Sequence, residues 1–216
     1  MNANLTELIF ILDRSGSMAG LESDTIGGFN SLIEKQKSAE GTAYVTTVLF
    51  DDKYELLHDR ADIKGIKPLT EKDYYVRGMT ALMDAIGKSI AKTTAAFAHI
   101  EEEALPAKVM MVITTDGMEN ASREYNSDSV KKLIEAKKKE GWEFVFLGAN
   151  IDAVQTASKM GIPADMAVDY HADKAGTTLN FCVLNEAVSR VRSGRSLEAD
   201  WAKEIRADHK NRKKDN

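Results

Sequence analysis

The chain has 216 residues, 43% hydrophobic and 29% charged, which is enough apolar material for one full α/β core. Its net charge of −5 gives no electrostatic footing for general nucleic-acid binding, so no nucleic-acid partner is expected. A single cysteine, Cys182, excludes an intramolecular disulfide, and four scattered histidines (His58, His99, His171, His209) offer no zinc-ligand spacing. The lone cysteine fits a reducing compartment, or a domain large enough to need no cross-links. The opening MNANLTELIFILD has a short apolar run with Glu7 inside it, no basic leader and no cleavage signal. No stretch approaches the roughly 20 apolar residues that span a bilayer. The expectation is a cytoplasmic protein with no membrane association.

Residues 8–12 (LIFIL) read as a buried strand. From about 21 to 37 the chain is helical, with Ile26, Phe29 and Ile33 at spacings of three and four. Gly27 and Gly28 interrupt this pattern at a cost of about 1 kcal/mol each relative to alanine. They either permit a close backbone approach or are simply tolerated. Residues 44–50 (YVTTVLF) are β-branched and aromatic, hence a strand; Asp51-Asp52 signals a turn, and residues 53–57 pair back antiparallel. Residues 59–75 have weak periodicity and read as connection. A long helix is expected from Thr80 to about Glu103, with apolar face Met83, Ile86, Ile90, Phe97 and Ile100, and with Pro106 beyond its end.

Residues 108–115 (KVMMVITT) are a continuous apolar run, the pattern of a parallel strand buried on both faces. A helix over about 127–140 ends at Gly141, and residues 144–147 (FVFL) are the next strand. Residues 151–160 form a short helix stopped by Gly161 and Pro163, 166–170 a final short strand, and 175–192 the last amphipathic helix. After Gly194 the chain is basic and poor in apolar residues, through Lys203, Arg206, Lys210, Arg212, Lys213 and Lys214. This tail, 194–216, is expected to fray or be disordered, with a basic contact for a partner as the alternative. Strand and helix alternate over residues 1–193, which predicts one domain: a doubly wound, mostly parallel sheet with one antiparallel edge strand and helices on both faces, Rossmann-like in plan.

In such a sheet, ligands bind beyond the carboxyl ends of the strands. Asp13-Arg14-Ser15-Gly16-Ser17-Met18 follows LIFIL directly, and Asp116-Gly117-Met118-Glu119-Asn120 follows VMMVITT. If the two strands are neighbours, Asp13 and Asp116 share one rim. Two facing carboxylates repel unless a positive charge lies between them. Ser15 and Ser17 add neutral oxygens at alternating positions, and Gly16 allows a tight bend. Carboxylates, hydroxyls and water are the ligands of a hard cation such as Mg²⁺; with no thiol or imidazole nearby, soft metals are disfavoured. Thr80, in Arg77-Gly78-Met79-Thr80, offers another hydroxyl, although it also stands where a helix N-cap would.

These residues resemble the metal-ion-dependent adhesion site (MIDAS) of the von Willebrand factor type A (vWA) family. Its pattern is Asp-x-Ser-x-Ser after the first strand, a threonine in a later loop, and an aspartate after a central strand. Here these fall on Asp13, Ser15 and Ser17, on Thr80, and on Asp116. The short first motif is weak alone; its place at a strand end and two further anchors in order make the set specific. The resemblance covers roughly residues 5–192. It implies hydroxyl ligation by Ser15, Ser17 and Thr80, with Asp13 and Asp116 binding directly or through water. It also implies a divalent cation, Mg²⁺ first with Mn²⁺ or Ca²⁺ as alternatives, and an open position filled by an acidic side chain of a protein partner. Family members pair with ATPases in bacteria, or with extracellular matrix and receptors in animals; with no targeting signal in the sequence, the expectation is an intracellular partner such as an ATPase or complex subunit. Glu119, Asn120 and Asn150 are candidates for the rim, while Asp24 and Asp84 read as solvated or capping.

The expected function is thus a non-enzymatic, metal-dependent interaction module. A Mg²⁺-dependent phosphatase or phosphotransferase is the enzymatic alternative, but such enzymes resemble Asp-x-Asp-x-Thr, and Ser15 stands where their second aspartate belongs. No acid–base pair and no glycine-rich phosphate loop with a lysine supports it. A purely structural scaffold is the third reading.

Overall fold

The continuous apolar runs become the centre of a sheet. The computed structural model describes residues 1–213, in which six strands take the order β3-β2-β1-β4-β5-β6. They are β1 (Asn2–Asp13), β2 (Thr42–Phe50), β3 (Tyr54–Asp62), β4 (Pro106–Thr115), β5 (Trp142–Gly148) and β6 (Ala167–Asp169). All neighbours pair parallel except β3, which runs antiparallel to β2 at the edge. β1 and β4 lie side by side, with Leu8 opposite Met110 and Leu12 opposite Thr114. Asp13 and Asp116 therefore leave adjacent strands at the same rim.

Side chains alternate across β1, so each face carries its own core. Leu8, Phe10 and Leu12 meet Phe29 and Leu32 of α1 (Glu22–Lys37) and Leu184 and Val188 of α5 (Lys174–Arg192). Ile9 and Ile11 meet the second layer: Ile86 and Ile90 of α2 (Leu82–Phe97), Val130 and Ile134 of α3 (Ser127–Lys139), and Ala153 and Ala157 of α4 (Ala153–Lys159). The two glycines of α1 differ in purpose. A Cβ on Gly28 would stand 2.1 Å from the ring of Phe181, so this glycine lets α5 approach. A Cβ on Gly27 would meet nothing within 4 Å among the described residues, and this glycine is tolerated.

Several boundaries differ from the local pattern. Residues 59–62 belong to β3 rather than to a connection, because a bulge at Arg60 (φ 47°) lets the strand continue along β2. Helix α2 begins at Leu82 and ends at Phe97; past it, His99 and Ile100 donate to Ala96 and Phe97 in tighter turns. Pro106 opens β4.

The larger correction concerns the tail. Residues 203–212 form α6 (Lys203–Arg212), which lies against β6 and α5. Leu197, Ala202 and Ile205 are buried with the core of the α1/α5 face. Trp201 Nε1 donates to the Asp165 carbonyl at 2.9 Å, Arg206 donates to the same carbonyl at 2.6 Å, and Arg212 pairs with Asp173. Sparse apolar residues suffice there because the short β6 leaves an edge for α6 to cover. Residues 214–216 of the predicted tail lie outside the described residues. Among the described residues, no helix is long and apolar enough to cross a membrane.

Candidate metal centre

Three loops converge at the carboxyl ends of β1 and β4, and backbone hydrogen bonds join them. Arg14 N donates to Phe50 O at 2.8 Å, Arg77 N to Arg14 O at 2.9 Å, Gly16 N to Gly78 O at 3.2 Å and Asn120 N to Thr80 O at 3.0 Å. Asp13, Ser15, Thr80 and Asp116 are all buried, and Ser17 is exposed.

The hydroxyls of the first and third loops touch. Ser15 Oγ and Ser17 Oγ are 3.1 Å apart, and Thr80 Oγ1 donates to Ser15 Oγ at 3.0 Å. Thr80 does not cap α2: the N-cap residue is Ala81, and the Thr80 hydroxyl turns into the cluster instead. Gly117 makes room for all three oxygens. A Cβ there would stand 2.9 Å from Ser17 Oγ, 3.0 Å from Thr80 Oγ1 and 3.7 Å from Ser15 Oγ. Gly117→Ala is therefore expected to spread the hydroxyls and weaken divalent-cation affinity about tenfold or more, with a loss of stability of about 1 kcal/mol. Calorimetric Mg²⁺ titration alongside thermal melting checks both; an alanine variant with unaltered affinity would show that the hydroxyls do not act together.

The carboxylates are held differently. Asp13 Oδ1 accepts the Ser15 N–H at 2.7 Å, and Asp13 Oδ2 accepts the Thr115 hydroxyl. Burial pushes the Asp13 carboxyl up to about 6; the hydrogen bonds of Thr115 and Ser15 oppose this, and the nearby Asp116 charge adds to it. Asp116 is also pushed up by burial, only partly opposed by the neighbouring Ser17 hydroxyl. Both Asp116 oxygens are buried without a hydrogen-bond partner among the described residues. An unpaired buried carboxylate is costly, and a cation relieves that cost. Among the described residues, no cluster of three or more His, Cys, Asp or Glu side chains could hold a metal. The donor set is instead two carboxylates and three hydroxyls, which fits a hard divalent cation.

Residues that the local pattern did not single out support this arrangement. Tyr74 donates its hydroxyl to the Asp13 carbonyl. Arg14 is wholly buried; its Nε donates to Asp51 Oδ2 at 2.9 Å and its Nη2 to Glu55 at 2.6 Å. Arg77 Nε reaches the same Asp51 oxygen at 2.6 Å, and both guanidiniums lie over the Tyr75 ring, 5.4 and 5.2 Å from its centre. Asp51, which reads locally as a turn residue, thus ties the Asp13 loop to the Thr80 loop. The Ala81 N–H bonded to its carbonyl adds to that link. Asn120 Oδ1 accepts the Thr80 N–H at 2.9 Å and fixes that residue. Glu119 is consumed by the N–H groups of Met83, Ala121 and Ser122, and Asp84 by those of Arg123, Glu124 and Tyr125. Asp24 lies in the first turn of α1, and Asn150 is an exposed, left-handed turn residue (φ 56°) after β5.

No family model and no curated protein matches this sequence. Solved structures do match in shape. Proximal thread matrix protein 1 from the mussel byssus, in a form whose MIDAS motif is occupied by zinc, aligns at TM-score 0.56 and 14% identity over 85% of this chain and 46% of its own. The pilus adhesin SpaC of Lactobacillus rhamnosus GG, in its open conformation, aligns at TM-score 0.66 and 12% identity over 86% of this chain and 30% of its own. Manganese-loaded TRAP protein of Plasmodium vivax aligns at TM-score 0.56 and 15% identity, over 84% of this chain and 74% of its own. This chain thus spans less than half the length of the mussel and Lactobacillus proteins. The doubly wound sheet with its antiparallel edge defines the class, a Rossmann-like α/β fold. Within that class the fold is the vWA fold.

Proposed function

We propose that this chain is a metal-dependent protein-interaction module. In this reading Asp13, Ser15, Ser17, Thr80 and Asp116 hold one divalent cation, Mg²⁺ in the cell. The observation that carries it is the Asp116 carboxylate, buried with both oxygens unpaired beside a cluster of three hydroxyls. When bound, the cation supplies a Lewis-acidic position for an oxygen ligand. Two carboxylates roughly balance its charge, and the position left open in the shell accepts an acidic side chain from a protein partner. The chain's own residues orient and screen the site: Thr115 and the Ser15 N–H fix Asp13, and Asn120 fixes Thr80. The zinc and manganese forms of the mussel and Plasmodium proteins support a divalent cation in this fold. The reading is non-enzymatic, since Glu119 and Asp84, the nearby acids, are committed to backbone N–H groups. The proposed setting is cytoplasmic, with an ATPase or complex subunit as partner.

Calorimetric titration with Mg²⁺ and Mn²⁺ tests the reading. One saturable site is expected in the wild type, lost in Asp13→Ala and weakened in Ser17→Ala, whose exposed side chain leaves the fold undisturbed. A wild type that binds neither ion sinks the proposal.

A further inference from the structure

The other end of the sheet, where β4 and β5 begin, carries two hollows that meet at Gly141 and Trp142. One, about 390 Å³, is walled by Phe97, Leu105 and Val109 and edged by Glu102 and Glu140. The other, about 340 Å³, is walled by Phe144, Met166 and Leu197 and edged by Lys108 and Lys138. Glu102 and Lys138 are exposed and Lys108 is half-buried; none of the three forms an ion pair among the described residues. Glu140 is engaged by Lys137 at 2.8 Å, and Glu143, also at the second hollow, accepts the Leu197 N–H at 3.1 Å. The surface thus has an apolar floor with one acidic half and one basic half.

The floor is preformed. Trp142 stacks on Phe144 with ring centres 6.2 Å apart and meets Phe97 edge-on at 5.9 Å. Gly141 takes a φ of 87°, and a Cβ there would meet nothing within 4 Å among the described residues. The ridge between the hollows is therefore low enough for one partner surface to cover both. Met1, 69% exposed, borders the acidic hollow. An apolar floor with a charged rim is the anatomy of a protein interface.

We propose that a second copy of this chain covers this surface, related to the first by a two-fold axis close to the Gly141 turn. The charge pattern selects that occupant. A two-fold turn lays the acidic half of each copy on the basic half of the other, so that Glu102 of each faces Lys138 of the other, twice in one interface. A foreign partner would need the reverse pattern, whereas the chain already carries both halves. The candidate metal centre lies at the opposite, carboxyl ends of the strands. In the dimer the two centres point away from each other and present two sites to a multivalent partner. The dimer itself does not depend on the metal reading, since none of the five candidate ligands borders either hollow.

Sedimentation velocity on the full chain over a dilution series, with chelator present, tests this. The wild type is expected to pass from monomer to dimer as concentration rises and to stop there. Lys138→Glu and Glu102→Lys each replace two attractions per dimer by two repulsions, so either variant alone is expected to dimerise about tenfold more weakly. Both changes are at exposed side chains, and thermal melting is expected to be unaltered. Mixed in equal amounts, the two variants are expected to regain the wild-type affinity, because both halves of the mixed dimer again set opposite charges against each other. A wild type that stays monomeric up to about 1 mM overturns the proposal. So do single variants of unaltered affinity, a mixture that associates no more tightly than either variant alone, and an assembly that grows past the dimer.

Discussion

Asp51→Ala is expected to destabilise the chain by about 3–5 kcal/mol and to weaken Mg²⁺ binding at the same time. Arg14 and Asp51 are both fully buried, 2.9 Å apart, and removing the carboxylate strands the guanidinium of Arg14 away from water. Glu55 remains on its Nη2 but is half exposed, so it compensates weakly. Arg77, about a third exposed, loses its partner at lower cost. Burial alone would push the Asp51 carboxyl up; the Arg77 hydrogen bond, the Lys53 N–H and the charges of Arg14 and Arg77 outweigh it and hold the carboxyl below its usual range. The sign follows: this stabilisation is present above the ordinary carboxylate pKa of 3.8 and is lost as pH falls through the lower folded value. Urea denaturation at neutral pH measures the effect. Asp51→Asn should lose somewhat less, because its single amide oxygen still accepts from part of this donor set while its NH2 cannot. A loss below about 1 kcal/mol in Asp51→Ala would mean that the buried pair does not hold the loops.

Glu7→Gln should act in the opposite direction, and only at higher pH. Glu7 is fully buried in β1, with Oε2 accepting from Arg60 Nε at 3.0 Å and Oε1 unpaired among the described residues. The Arg60 guanidinium is itself held over the rings of Tyr44 and Phe97, at 5.4 and 5.2 Å. Burial pushes the Glu7 carboxyl from 4.5 up to about 7, against the opposing charge and hydrogen bond of Arg60. A raised folded-state value means that the native protein holds this proton more tightly than the unfolded chain. Wild-type stability is therefore fullest below about pH 4.5 and falls as pH rises to about 7. Glutamine mimics the protonated acid. The variant is expected to match the wild type near pH 4 and to exceed it at pH 8 by up to about 3 kcal/mol. Parallel urea titrations across that range measure the difference. A difference that does not vary with pH would show that Glu7 ionises normally in the fold.

Much of this architecture is legible in the sequence, for a local reason. LIFIL and VMMVITT are apolar without alternation, which only strands buried on both faces sustain, and each ends in an aspartate. The rim of the sheet and both carboxylates follow from that. The DRSGSM spacing likewise places two hydroxyls on one tight loop, where the structure finds them 3.1 Å apart. Thr115 was not legible as a support of Asp13, because a threonine at the end of an apolar strand looks like any other β-branched residue. Asp51 looks like a turn former, since the Asp-Asp pair follows a strand; its burial between two arginines depends on loops brought in from elsewhere.

By itself, then, the sequence determined most of the strands and helices of residues 1–193, where the parallel strands stop, and which oxygen-bearing residues lie at those ends. Periodicity and burial within one element are enough for that. The tertiary structure decided what the partners are. Of the two local readings of Thr80, helix cap or hydroxyl ligand, it removed the cap and set the hydroxyl against Ser15, 65 residues away. It made Asp51 a tie between loops, and it gave the sparse apolar residues of 197–205 an edge to cover, so that α6 docks instead of fraying. Each of these outcomes depends on strand order and on loops meeting across it, and pairings between distant segments leave no mark in the local pattern of residues.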